Sequence, residues 1–263
     1  MRWLRGDGAV VAAALVVLVS LSWVYVWRGA GMGMSAWDMT LFTLFPHTQP
    51  EPMPGMTPPA YVWWPVLIMW WVMMIAMMTP GAAPLVLLYN RVLQHSTGQT
   101  SSIRFASPLL LMVGYLLVWL GFSLLAAAVQ YALQRATLIS PMMLWSSSAW
   151  LSAGVLVAAG VYQLSPLKQA CLKHCRGPVD FLTRHRRPGR WGALVMGMQH
   201  GMWCVGCCWV LMLLLFVGGV MNLVWIALLA LLVLAEKLLP GSVITSRLSG
   251  ALLIIWGLIT LAV

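Results

Sequence analysis

A chain that contains several unbroken apolar stretches of about 20 residues has few folds open to it, because each stretch, coiled as a helix, matches the roughly 30 Å hydrocarbon thickness of a bilayer. Seven stretches of this 263-residue sequence meet or approach that length: 9–27, 61–79, 107–131, 142–164, 193–217, 219–239 and 249–263, the last being the shortest. A soluble alternative fails on composition. With 62% hydrophobic and 8% charged residues the chain cannot cover a water-facing surface, for which about 25% charged residues are usual. The expected fold is all-α: one polytopic transmembrane bundle over 1–263, with about seven spans, or six if the last is too short. Pro80 and Pro84 should interrupt the second stretch, leaving TPGAAPLVLLYNRVL as a break followed by a separate interfacial helix.

Basic residues in the connections give an orientation, since Lys and Arg are retained on the cytoplasmic side during insertion. With seven spans and the N-terminus inside, Arg2, Arg5, Arg91, Arg104, Lys168, Lys173, Arg176, Arg184, Arg186, Arg187, Arg190, Lys237 and Arg247 fall inside, and Arg28 and Arg135 outside. The expected location is therefore a membrane crossed many times, with the basic connections on its cytoplasmic side. The net charge of +10 then reports topology, and no soluble face interleaves basic with aromatic residues as a nucleic-acid surface would. The first stretch has the basic start of a signal peptide, but its apolar run is longer than the usual ~7–15 residues and no small-x-small site ends it; it reads as an uncleaved helix. The loop 28–60, placed outside, is rich in Met, Gly and Pro. Its Asp38, His47 and Glu51 read as a solvated segment before they read as a second site.

The chemistry-bearing residues concentrate in HGMWCVGCCWV, within the fifth stretch. His200, Cys204, Cys207 and Cys208 are spaced three and four apart, which places them on one stripe of a helix. The fifth and sixth stretches, 193–239, read as a tight hairpin about Gly218-Gly219. Pairing residues equidistant from that turn sets Glu236, the sole acidic residue inside an expected span, at the depth of His200. An intramembrane carboxylate is costly enough to be a functional candidate. Opposite a histidine it can be a ligand, a partner that orients the ligand, half of a proton-sharing pair, or a plain interhelical hydrogen bond.

Two further groups reach the same inner half of the bilayer. The basic segment 166–192 carries CLKHC, with Cys171, His174 and Cys175 on adjacent turns, and the second stretch ends in MWWVMMIAMM, where Met73/Met77 and Met74/Met78 are i,i+4 pairs. Methionines in such a helix are ordinarily flexible packing. The cysteines are more telling, since all five fall in two clusters, each with a histidine three or four residues away. Thiolate, thioether and imidazole together favour Cu(I), with zinc or iron as alternatives. Disulfides are not expected, because one cluster faces a reducing compartment and the other lies on one helix. No nucleotide-binding loop, dinucleotide fingerprint, HExxH or GxSxG is present, so any chemistry would come from a bound metal.

MWWVMMIAMMTP, CLKHCRGP, HGMWCVGCC and EKLLP, spread over about 61–240, resemble the MM-x-x-MM-x-P, CL-x-x-C-x-x-P, H-G-x-x-C-x-G-C-C and E-K-L-x-P motifs of a bacterial family of predicted metal-binding integral membrane proteins carrying a domain of unknown function. The resemblance implies a metal role for Cys171, Cys175, His200, Cys204, Cys207, Cys208 and Glu236, and for Met74 and Met78. It also implies that the membrane is a bacterial inner membrane, and a small soluble partner protein in a hetero-oligomer, beside the lipid itself. Three functions fit these residues: a copper-binding membrane protein, as an oxidase or oxygenase subunit acting on an apolar substrate; a transition-metal transporter or copper-handling protein; and a structural subunit with a zinc site. A transporter would need a ladder of ligands continuing across the membrane.

Overall fold

The computed structural model describes residues 7–30, 37, 40, 61–95, 101–140, 144–185, 187, 189–239 and 241–262. Asp38, His47, Glu51 and most of the expected outside loop lie outside the described residues. The described chain is all-α: α1 Asp7–Trp27, α2 Trp63–Gln94, α3 Ser101–Arg135, α4 Ala149–Leu164, α5 Pro166–Arg176, α6 Pro178–His185, α7 Gly189–Leu213, the short α8 Leu215–Gly218, α9 Leu223–Leu238 and α10 Ser242–Ala262.

Five helical segments are long and apolar enough to cross a membrane: Gly8–Trp27, Trp63–Gln94, Ala106–Arg135, Trp191–Gly218 and Val243–Ala262. A sixth is reached if α4 and α5, bent by 65°, cross as one broken span. Among the described residues this gives five or six spans, against the six or seven expected. The final stretch, the shortest by sequence, forms a 21-residue helix, whereas the sixth, α9, has only 16 residues, about 24 Å against a 30 Å core.

Local sequence explains most helix ends. Ser148 accepts from Leu151 N at 3.3 Å and starts α4, and Asn222 accepts from Trp225 N at 3.1 Å and starts α9. Ser165 ends α4 and caps α5 through Lys168 N at 3.2 Å. Its position before Pro166 excludes it from the helical basin, which makes the 65° bend. The break expected in α2 is absent, since the helix runs unbroken through Pro80 and Pro84. Each proline removes one backbone donor, and packing on neighbours holds the helix in line: Tyr115 of α3 donates its hydroxyl to the Met78 carbonyl at 3.0 Å, in the turn just before Pro80.

The core is the sandwich of α2, α3 and α7, with α1 laid on α2, α5 on α7, and α9 on α2 more than on α7; α10 pairs with α4 at the side. Helices approach closely where both lack a side chain. A Cβ on Gly197 would sit 1.9 Å from Leu111 O, and one on Gly114 2.1 Å from Leu194 O, so α3 and α7 touch backbone to backbone. Gly160 does the same for α4 and α10, where a Cβ would lie 2.6 Å from Gly250 O. This contact fixes Tyr115 of α3 beside the cysteine-bearing turn of α7.

Candidate metal centre

Five elements converge on one buried point. α7 contributes Cys204, Cys207 and Cys208, α5 contributes Cys175, α2 Met78, α3 Tyr115 and α9 Lys237, and all of these side chains are buried. All five cysteines are free thiols. The Cys207 and Cys175 sulfurs are 3.9 Å apart, and the Cys208 sulfur is 3.9 Å from the Met78 thioether. Two sulfurs that share one tetrahedral ion at about 2.3 Å each stand about 3.8 Å apart, so both pairs already have the spacing of co-ligands. Cys204 is held differently: its sulfur lies 2.9 Å from Lys237 Nζ and 3.1 Å from the Tyr115 hydroxyl. The ammonium sits where a cation would meet the sulfur.

The thiols of Cys207 and Cys208 also donate to the Cys204 carbonyl, at 3.1 and 2.9 Å, closing on their own helix. Among the described residues no three His, Cys, Asp or Glu side chains stand in the arrangement that a bound ion would hold. The donors are instead paired, one pair completed by a thioether, with a lysine against the remaining sulfur. The donor set fits a soft monovalent ion better than a hard divalent one.

Of the other residues singled out from the sequence, Cys171 lies at the edge, where a Cβ on Gly206 would meet its sulfur at 3.0 Å. His200 is one turn below Cys204, its ring 5.8 Å from that of Tyr115 and 5.3 Å from that of Phe181, and its buried Nδ1 has no hydrogen-bond partner. Met74 is fully buried one turn from Met78 on α2. His174 faces outward: it is exposed, donates to Ala170 O through Nδ1 at 2.9 Å, and stacks on Trp203 at 4.2 Å between ring centroids.

Glu236 is engaged elsewhere. One carboxylate oxygen accepts from Lys168 Nζ at 2.7 Å; the other accepts from Gln163 Nε2 at 2.8 Å and from the Ser246 hydroxyl at 3.1 Å. The turn between α7 and α9 passes through Gly219, with φ of 93°, to the cap Asn222, later than the Gly218-Gly219 centre expected from sequence. That delay brings Lys237 opposite Cys204 and turns its neighbour Glu236 towards α4 and α10. Sequence reasoning missed Lys168, Lys237 and Tyr115. Both lysines were counted as flanking charges.

A cavity of about 170 Å³, lined by Gly81, Pro84, Leu85, Cys175, Arg176, Pro178, Lys237 and Leu238, opens beside this cluster. Gly81 makes the room, since a Cβ there would lie 2.9 Å from Lys237 Cδ. Comparison with curated proteins and with solved structures gives no match for the chain. Residues 67–260 match the model of the PpoB2 family, described as a copper chaperone. That span includes every residue of the sulfur cluster, from Met78 on α2 to Lys237 on α9, and most of the chain, which makes this multi-helix membrane protein a member of the PpoB2 copper chaperone family.

Proposed function

We propose that this protein holds Cu(I) inside the membrane, on the sulfurs of Cys175, Cys204, Cys207 and Cys208 with the Met78 thioether, and passes it on as cargo. The observation that carries this reading is the Lys237 ammonium 2.9 Å from Cys204 Sγ in a wall of sulfur. It keeps a cation in a dry, soft-donor site until copper takes its place, so the cluster never faces a large change in charge. Copper bound there supplies no redox step; exchange of ligands is all that a chaperone requires.

The chain's own residues perform the exchange. Lys237 borders the 170 Å³ cavity and can withdraw along it, past Gly81, when its sulfur is taken. Cys175, which lines the same cavity, is the first thiol a copper ion meets, and its partner Cys207 is 3.9 Å further in. Tyr115 anchors Cys204 by its hydroxyl and holds the α2 turn that carries Met78 through the Met78 carbonyl. In the orientation given by the basic connections, this cavity faces the cytoplasmic half of a bacterial inner membrane. Cys171 and His200 border the cluster as secondary donors, and the unpartnered Nδ1 of His200 is the donor available one turn from Cys204.

Anaerobic titration of the detergent-purified protein with Cu(I), in competition with a colorimetric Cu(I) chelator, tests the reading. One equivalent should be withheld from the chelator by the native chain and surrendered when Cys204 and Cys207 are both replaced by Ser. A folded native protein that withholds no copper would overturn it, and preference for zinc over Cu(I) would replace it with the structural reading.

A further inference from the structure

The sulfur cluster does not stand at the end of the soft donors on α7. Cys204, Cys208 and Met212 follow one another at intervals of four, within about 80° of one helix face, and all three are fully buried. The partner for Met212 is fixed by two contacts between α2 and α7 with its short continuation. Met78 faces Cys208, at 3.9 Å, and Trp70 faces Phe216, with ring centroids 5.3 Å apart. The second contact lies eight residues from the first on each helix, in opposite directions, so the two run antiparallel in fixed register. Midway between the contacts, four residues from each, stand Met74 and Met212. Both are fully buried.

We infer that Met74 and Met212 form a second Cu(I) station, made of thioethers alone, about 6 Å beyond the thiol cluster along α7. This rests on the proposed function, since it gives the copper held by the cluster its next resting place. Two uncharged thioethers bind Cu(I) more weakly than thiolates do and have little affinity for zinc. That is the order of strength a hand-off needs: copper leaves Cys208 and Met78 by exchange of sulfur ligands, with Met78 and Met74 on adjacent turns of one helix. No electron moves, and the vacated thiolate is left to its cation. The station also supplies the start of the ladder that a purely local binding site would lack, and it sets the direction, away from the cavity at Cys175 and towards the Trp70–Phe216 end.

Cu(I) alone is the probe, titrated anaerobically into the full-length protein against chelators of graded strength. The native chain should show a tight equivalent and a weaker one. Met74→Leu with Met212→Leu, which keeps side-chain volume, should lose the weaker equivalent and retain the tight one. Replacement of all five cysteines by Ser should do the reverse, with X-ray absorption on that variant showing sulfur-bound copper in the absence of any thiol. Each Met→Leu single variant provides a fallback if the double variant loses its thermal transition. A tight equivalent with no weaker one, or a weaker one untouched by the Leu substitutions, overturns the second station while leaving the cluster intact. A native chain that binds no copper at all overturns the reading on which it rests.

Discussion

Glu236 and Lys237 are neighbours on α9, both buried, and they belong to opposite kinds of site. The Glu236 carboxylate is saturated: both oxygens are taken by an ammonium, an amide and a hydroxyl from α5, α4 and α10, all hard donors at hydrogen-bond distance. Lys237 faces sulfur, with a thiol and a phenol as its company and open space behind it. A closed polar network of this kind ties helices together and has nothing left to offer a ligand. The sulfur cluster is under-committed by the same accounting, because its thiols close on their own backbone and its spacings are those of co-ligands. A single residue step along α9 therefore separates a lock from the proposed receptacle, and buried charge alone does not tell which is which.

Damage to each side should read out differently. The largest effect is expected at the receptacle. Replacing Cys204 and Cys207 together should weaken Cu(I) binding by at least about 10⁴-fold, some 5–6 kcal/mol at 1.4 kcal/mol per decade, while the thermal midpoint stays close to native. Chelator competition and a melting curve on the same sample check both halves of that statement. A large fall in melting point would mean that the thiols are packing elements and would erase the contrast.

Next comes the lock. Lys168→Met leaves the Glu236 carboxylate buried without its ion partner, and loss of one member of a buried pair costs about 3–5 kcal/mol. Unfolding midpoints in detergent should fall accordingly, and the fraction that remains folded should still bind one tight copper. The double variant Lys168→Met with Glu236→Gln should recover much of the stability, because no charge is then stranded. If Glu236→Gln removed copper binding from folded protein, the carboxylate would belong to the metal site after all. A smaller effect is expected at the seam between the two: Gly81→Ala pushes on Lys237 Cδ, from a 2.9 Å approach, and should cost about 1–2 kcal/mol as the lysine shifts, with copper stoichiometry unchanged.

The sequence was most informative where spacing alone decides proximity. Cys204, Cys207 and Cys208 share a helix, so their common face follows from 3.6 residues per turn, and apolar length made the all-α bundle plain. Legibility declined wherever a turn had to be placed. A turn centred on Gly218-Gly219 set Glu236 at the depth of His200, whereas the turn that ends at Asn222 brings Lys237 opposite Cys204. Proline grammar misled in α2, because an exposed helix would break at Pro80 whereas this one, packed against α1, α3 and α9, runs through it. Lys168 was hidden for a different reason. Charge-counting treats every loop lysine as exposed, and only the bend at Ser165-Pro166, which folds α5 back against α7, shows that this one points inward.

The smallest predicted effect bears on a residue that spacing recommended. His174 lies between Cys171 and Cys175 in CLKHC, which resembles a ligand set when written as a line. On a helix, however, the positions 171 and 175 lie within about 40° of each other, while 174 lies about 100° from 175 and about 60° beyond 171. The structure follows that geometry: Cys171 and Cys175 are buried, while His174 is exposed and lies flat on Trp203, tilted by only 9°. His174→Ala should therefore leave Cu(I) affinity and stoichiometry as they are, and remove no more than the stacking contact, about 0.5 kcal/mol at such an exposed position. Cys175→Ser, one residue away, should cost at least tenfold in affinity, in line with the 3.9 Å approach of its sulfur to Cys207. Equal losses in the two variants would mean that α5 turns on loading to bring the imidazole inward, and that copper enters by way of His174 before it reaches Cys175.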